Sequence, residues 1–503
     1  MEFYLIKPIN LKKIDGFLKP IYYLEHPVGS GKTEAVLREI ADQQDRNYIY
    51  ACPTKDLSAE VGRRLEGKGR AGIRILNSAT KPQGKRSIVK WVHSEILKKP
   101  LNGTSVFIIT TETFVELLSL LDDWTKREFY VFIDEGLDPI KPIEFTTREL
   151  GIYRPYFNVG PDEKFSIADG YKGDIDKLLH DRKGLKENKL GHLDVAGFKE
   201  ICKLIEGPTY DVYGKIGDNS VEVIGFLNPK ALYAFASITF IVAIFNQSVL
   251  ALCLRHLHGC DLQELLLDFD YHDTHRECGP RMEIFHLLSG ADTASQNKLN
   301  MRLPEEQGGQ IVASRIAEIV SKEFAGRDYC WTINAGFDAI EATMEEGRYM
   351  PMKCHGLNGF QECDAVAMLG SANPTPWQGP ILKQLLGLDD DKLFEVFNLS
   401  PVYQAVGRCG IRDRKFQGQI SVVVLGSREA EKLARIFQGA QFRGQMGDIP
   451  RLGRQNRNMK YTRADNNAYY KYRKSCDAKG VAALPKDNWF GEFRQGRLAQ
   501  QLG

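Results

Sequence analysis

Residues 21–34 read IYYLEHPVGSGKTE. An apolar, β-rich run (Ile21, Tyr22, Tyr23, Leu24) meets a loop containing Gly29 and Gly31. Lys32 and Thr33 then open a stretch whose apolar residues, Ala35, Val36, Leu37 and Ile40, suit a helix. Strand, glycine loop and helix in that order make a phosphate cradle. The glycines let backbone N–H groups turn inward, and the helix N-terminus adds partial positive charge. Lys32 is expected to reach the β/γ-phosphates of a nucleoside triphosphate, and the Thr33 hydroxyl to hold Mg²⁺. Pro27, Val28, Gly29, Ser30, Gly31 and Glu34 complete the expected nucleotide-binding loop. The pattern G-x-x-x-x-G-K-[ST] asks for glycine at position 26, where this chain has His26.

Working outward, the first 140 residues alternate apolar runs near 20–25, 47–52, 72–77, 105–110 and 128–134 with helical stretches near 32–43, 55–66, 87–98 and 112–121. Such alternation predicts an α/β fold, a parallel sheet covered by helices on both faces. Ligands in these sheets bind at the carboxyl ends of the strands. The run EFYVFIDE ends there in Asp134 and Glu135. Asp134 is expected to hold Mg²⁺ and Glu135 to orient and polarise the attacking water. Residues 139–229 break the alternation and read as an insertion. Four β-rich runs, RMEIFHLL, DYCWTIN, AVAMLGSA and ISVVVLG, predict a second parallel sheet.

Composition bounds the rest. At 503 residues and 43% hydrophobic content the chain suits a soluble globular protein of several domains. Its ten cysteines include no C-x-x-C pair, which favours a reducing, cytoplasmic compartment over a disulfide framework or a cysteine-rich zinc site. The start MEFYLIKPINLKKIDGF has no signal-peptide pattern. Residues 231–254 carry no charge and are long enough to be scored as a membrane span. With Asn246, Gln247 and Ser248 inside, they read better as a buried strand and helix, and no membrane partner is expected. Net charge is +2, yet residues 441–503 hold thirteen Lys/Arg against five Asp/Glu, a surplus of eight that leaves the remainder near −6 (2 − 8). A basic C-terminal extension on a mildly acidic body follows.

Several elements now fall into one order. PVGSGKT (27–33), ACPTKDL (51–57), IDEGLD (133–138), ASITF (236–240), HGLNGFQECDAV (355–366) and YQAVGRCGIRD (403–413) resemble motifs I, Ia, II, III, V and VI of superfamily 2 helicases. The resemblance spans roughly residues 20–425; motifs I, II and VI are the specific ones. It implies two RecA-like domains in tandem, 1–245 carrying the insertion and 246–440 behind it, with 441–503 as the extension. It also implies ATP hydrolysis in the cleft between them, with Lys32, Thr33, Asp134 and Glu135 from the first domain and Gln404, Arg408 and Arg412 from the second. The chain departs from the motif VI pattern Q-x-x-G-R-x-x-R: Ile411 stands at the final arginine and Arg412 one residue later, so the arginine finger lies with Arg408 or Arg412. The box reads DEGLD, and no adenine-reading glutamine precedes motif I.

The resemblance further implies a nucleic-acid partner, DNA rather than RNA, with Thr54, Lys55, Thr111, Gly356 and Asn358 facing the strand, and places the chain among helicases of replication or repair, with proteins of those processes as partners. Small polar groups and backbone N–H donors suit phosphate contacts that ignore sequence. The tail mixes Lys and Arg with Tyr461, Tyr469, Tyr470, Tyr472, Trp489 and Phe490, a second surface for phosphates and bases. Asp268, Asp270, His272, Asp273 and His275 crowd one segment but read as a solvated turn rather than a metal site. The insertion suits a strand-separating wedge tipped by Tyr153, Tyr156 or Phe157, and equally a lid or a protein-docking surface. Two other readings fit the same motifs: an ATP-gated clamp or loader that does not unwind, and a viral DNA-packaging ATPase.

Overall fold

In the computed structural model the described residues are 20–452, apart from 86, 99–103, 181–194, 291–294, 335, 336, 338, 339, 341, 353, 355 and 358, together with 472 and 476. The chain divides into two units, residues 1–287 with 294–449, and residues 288–293 with 450–503. The sheets and the site below belong to the first. Tyr461, Tyr469, Tyr470, Trp489, Phe490 and Asn358 lie outside the described residues.

Along the chain, β1 (Ile21–Glu25), β2 (Asn47–Cys52), β3 (Ile73–Ile75), β4 (Val106–Thr110) and β5 (Phe129–Asp134) alternate with α1 (Lys32–Asp42), α2 (Lys55–Gly67), α3 (Ile88–Leu97) and α4 (Thr111–Leu117). These are the expected elements. The near-continuous apolar strands bury both faces, as a helix-covered parallel sheet requires. Thr54, Ser87 and Thr110 cap α2, α3 and α4 with their hydroxyls.

The insertion folds around its own core. β6 (Ile140–Thr146), β9 (Tyr210–Ile216) and β10 (Ser220–Leu227) form an antiparallel sheet, and β7 (Phe157–Val159) and β8 (Phe165–Ile167) a hairpin. Tyr153, Tyr156 and Phe157, expected at a wedge tip, are 5–7% exposed. They pack around Phe198 with ring centroids 5.0, 5.6 and 5.4 Å away. The amphipathic helix Ala196–Glu206 lays Phe198 among them, so they stabilise the insertion and do not present a wedge. The other sheet face sets Tyr213, Ile224 and Phe226 against Ile381, Leu382 and Leu386 of the helix Gln378–Leu386.

The uncharged run yields β11 (Ser237–Val242) in the centre of the first sheet, followed by short helical turns over Val249–Leu252 and Cys253–Leu257. Among the described residues no helix is long and apolar enough to cross a membrane. β12 (Leu262–Glu264) then pairs in parallel with β1 and completes a seven-stranded sheet of order β12-β1-β11-β5-β2-β4-β3. The first sheet thus reaches beyond residue 245; three residues of mixed polarity gave no strand signal.

The second sheet comprises β13 (Met282–His286), β14 (Tyr329–Thr332), β15 (Arg348–Tyr349), β16 (Ala365–Met368), β17 (Ile420–Val424) and β18 (Gln441–Gln445), in the order β15-β14-β16-β17-β13-β18 and parallel throughout. β18 sits on its edge and carries the sheet past residue 440. The architecture is two parallel-sheet α/β lobes in tandem, each RecA-like, with an α+β insertion in the first.

Candidate nucleotide site

The loop between β1 and α1 lies at the carboxyl edge of the first sheet. Gly29 and Gly31 have φ of +73° and +99°, left-handed values that L side chains resist. These two turns bring the backbone around to face the cleft. Lys32 is half-buried, and its Nζ donates to the carbonyls of His26 (2.7 Å) and Pro27 (2.8 Å). Burial pushes its ammonium down to about 8, against the pull of Asp134 and Glu135. Ser30 Oγ is buried with no hydrogen-bond partner.

Across the loop, β11 separates β1 from β5, whose end delivers the acidic pair. The Thr33 hydroxyl donates to Asp134 Oδ2 at 3.0 Å, and Tyr50 Oη donates to the same oxygen at 2.6 Å. Burial, then the neighbouring Glu135, raises the Asp134 carboxyl to about 6. Glu135 sits at φ +55°, a conformation that costs a non-glycine residue about 1–3 kcal/mol and marks functional sites.

Glu135 is gripped from the second lobe. Arg408 Nη2 pairs with its Oε2, Arg412 Nη2 lies 3.7 Å from its Oε1, and the Gly356 N–H donates to Oε2 at 2.5 Å. Both arginines also donate to the Leu357 carbonyl. Arg408 is 2% exposed; burial opposes its charge, but Glu135 beside it wins and its pKa is raised. Arg412 is lowered to about 10 by burial and by Arg408, and stays charged at neutral pH. Its Cα and Cγ lie 3.4 Å from where a Cβ on Gly29 would be, directly over the phosphate loop.

One pocket is lined by Lys32, Thr33, Asp134, Glu135, Gln404, Arg408 and Arg412, with Val28 to Glu34 as its floor. Glu34 belongs to that floor, yet its carboxylate is engaged by Arg64 of α2 (2.6 Å) and by Lys68 just beyond it. Of the expected strand-facing residues, Thr54 caps α2, Lys55 is exposed, and Thr111 donates to the Cys52 carbonyl at 3.5 Å. Gly356 packs on Thr54 across the lobes, since a Cβ there would sit 2.9 Å from Thr54 Oγ1. Its N–H is already committed to Glu135. Among the described residues no group of three or more His, Cys, Asp and Glu could hold a metal ion. The segment 268–275, expected as a solvated turn, buries His272, which pairs with Glu277 at 2.9 Å.

Tyr50, Tyr403 and Thr274 are not singled out by the sequence, and His275, read there as part of a solvated turn, instead packs beside the loop. Tyr403 Oη accepts from the Val28 N–H at 3.0 Å and meets His275 Nε2 at 2.8 Å, while Thr274 Oγ1 donates to the Val28 carbonyl at 2.9 Å. Both backbone groups of Val28 are thus held from outside the first sheet. Tyr403 lies inside the quoted motif, next to Gln404, which is the signal that was available.

The residues fit a magnesium–nucleotide complex. Thr33 and Asp134 offer hard oxygen donors, and Lys32, Arg408, Arg412 and the buried Ser30 hydroxyl offer N–H and O–H donors suited to phosphate. Because Asp134 is raised above its ordinary 3.8, the stability this group adds to the ligand-free chain at low pH is lost as pH rises through about 6. Below that pH protons compete with a cation for it. Magnesium is therefore expected to raise the melting temperature of the ligand-free chain more at about pH 7.5 than at about pH 5.5; equal shifts would remove Asp134 from the metal site.

Several solved structures are similar to the chain at low identity. Apo XPD matches at 16% identity and TM-score 0.47, covering 84% of this chain and 97% of that one. S. tokodaii Xpd4 matches at 12% and 0.45, covering 85% and 96%. S. cerevisiae Dbp5 bound to RNA and ADP BeF3 matches at 9% and 0.38, covering 85% and 86%. No protein-family model matches the chain, and no curated protein matches it. At these scores the functional reading rests on the pocket itself.

Proposed function

We propose that this chain is an ATP-dependent nucleic-acid helicase or translocase that hydrolyses ATP between its two lobes. One observation carries the reading: Glu135 of the first lobe and Arg408 and Arg412 of the second meet in the pocket that holds Lys32, Thr33 and Asp134. Lys32 would leave the loop carbonyls for the β/γ-phosphates, and Thr33 and Asp134 would hold Mg²⁺, which supplies charge neutralisation when bound. Glu135 would orient and polarise water, while an arginine from the second lobe meets the charge developing on the γ-phosphate. Gln404 lines the same wall. Since half of this constellation comes from each lobe, hydrolysis depends on their closure, and closure is what couples chemistry to motion.

Gly356 supports the nucleic-acid half of the proposal. Its N–H holds Glu135 while its Cα rests against Thr54. A strand touching Thr54, Lys55, Thr111 and the loop around Gly356 would thus act directly on the catalytic acid. DNA is the favoured substrate, with replication or repair as the setting. The test is ATPase activity with and without single-stranded DNA, duplex DNA and RNA, alongside strand displacement. Stimulation by DNA above RNA with displacement is expected. Stimulation without displacement leaves a translocase or clamp, and no stimulation by any nucleic acid sinks the proposal.

A further inference from the structure

His26 occupies the position where the phosphate-loop pattern asks for glycine, and its ring has neighbours. Phe269 lies edge-on to it at 5.1 Å, and Tyr271 lies 4.9 Å away. Both come from the segment between β12 and the helix Thr274–Cys278. That segment is stitched to the loop: the His272 N–H donates to the Ser30 carbonyl at 3.1 Å, and the Thr274 hydroxyl to the Val28 carbonyl. Phe269 reaches over Gly31, where a Cβ would stand 4.0 Å from its ring. Tyr271 remains 46% exposed. Tyr271 meets Phe269 as well, with ring centroids 6.3 Å apart, and the rest of its ring stands in water beside the phosphate cradle.

The charges around the trio select what can dock. Asp268 and Asp270 are exposed on the same segment, with Asp270 meeting Arg414 at 3.3 Å. Carboxylates repel phosphate, whether of the nucleotide or of a strand, and admit an uncharged ring. Burial, then the nearby Lys32 ammonium, pushes His26 below its ordinary value, so its imidazole is neutral near pH 7.

We propose that His26, Phe269 and Tyr271 form a nucleobase subsite beside the glycine loop, stacking the aromatic base of a nucleotide whose phosphates lie on that loop. This rests on the phosphate-cradle reading above. Aromatic stacking holds any base by its π face. It therefore supplies a grip in a chain without an adenine-reading glutamine before motif I.

The experiment is calorimetric titration of the full chain with magnesium–ADP and with magnesium–pyrophosphate, which has the same phosphate chemistry and no base. The wild-type chain is expected to bind ADP at least ~10-fold more tightly than pyrophosphate. Tyr271→Ala should lose roughly tenfold in ADP affinity and leave pyrophosphate unchanged, and Tyr271→Phe should retain both. His26→Ala, which keeps the backbone carbonyl used by Lys32, should follow Tyr271→Ala. Unchanged ADP binding by Tyr271→Ala, or parallel losses for both ligands, overturns the subsite and leaves the cradle standing. A wild-type chain that binds neither ligand overturns both.

Discussion

Glu135→Gln is expected to reduce ATP turnover by about 10²–10⁴-fold while tightening nucleotide binding. The two effects have one origin. In the ligand-free chain Glu135 neutralises Arg408 and faces Arg412. A triphosphate entering the pocket must compete with that carboxylate for the same guanidinium groups. Glutamine is isosteric and can still accept the Gly356 N–H, but it carries no charge, so the arginines are released to the phosphates. It also cannot polarise water as a carboxylate does. Removing one partner of a buried ion pair costs about 3–5 kcal/mol, so the ligand-free variant should melt at lower temperature and regain stability when ATP is added. Lys32→Ala makes the contrast: it should lose turnover and nucleotide affinity together, because its ammonium serves binding and chemistry alike. Steady-state ATPase, equilibrium nucleotide binding and thermal melts separate the two variants. Normal turnover in either would refute the assignment of the cleft.

What the sequence made legible follows from how local each feature is. The phosphate loop is written in consecutive residues, so strand, Gly29, Gly31, Lys32 and Thr33 could be read directly. Asp134 and Glu135 ended a strand whose apolar run is unmistakable. Tyr50 could not be read, because its contact with Asp134 depends on β2 lying beside β5 in the sheet order. Tyr403 was quoted within a motif, yet its bond to the Val28 N–H exists only once the two lobes meet. In the insertion, nothing local to Tyr153, Tyr156 and Phe157 marks them as core, because Phe198, some forty residues on, is what encloses them. β12 escaped notice because three edge-strand residues carry too little pattern to register.

The same reasoning divides the two arginines that the motif left undecided. We propose that Arg412 is the finger and that Arg408 positions Glu135. Arg412 lies over Gly29, within van der Waals reach of the phosphate loop, and its link to Glu135 is the looser, at 3.7 Å. Arg408 is the more deeply buried, at 2% exposure, and is directly paired with Glu135, a structural setting. Arg412→Ala is therefore expected to cut turnover by about 10³–10⁵-fold with the melting temperature unchanged within about 2 °C. Arg412→Lys should recover little, since an ammonium lacks the planar fork that meets two phosphate oxygens at once. Arg408→Ala should instead lower stability by about 3–5 kcal/mol, because a carboxylate strained at positive φ loses its main partner. Its turnover should fall mainly through misplacement of Glu135. Melting curves and single-turnover hydrolysis at saturating ATP distinguish the two. If Arg408→Ala keeps its stability and loses the larger factor in rate, while Arg412→Ala turns over normally, the roles are reversed and charge is delivered to the γ-phosphate from the buried position.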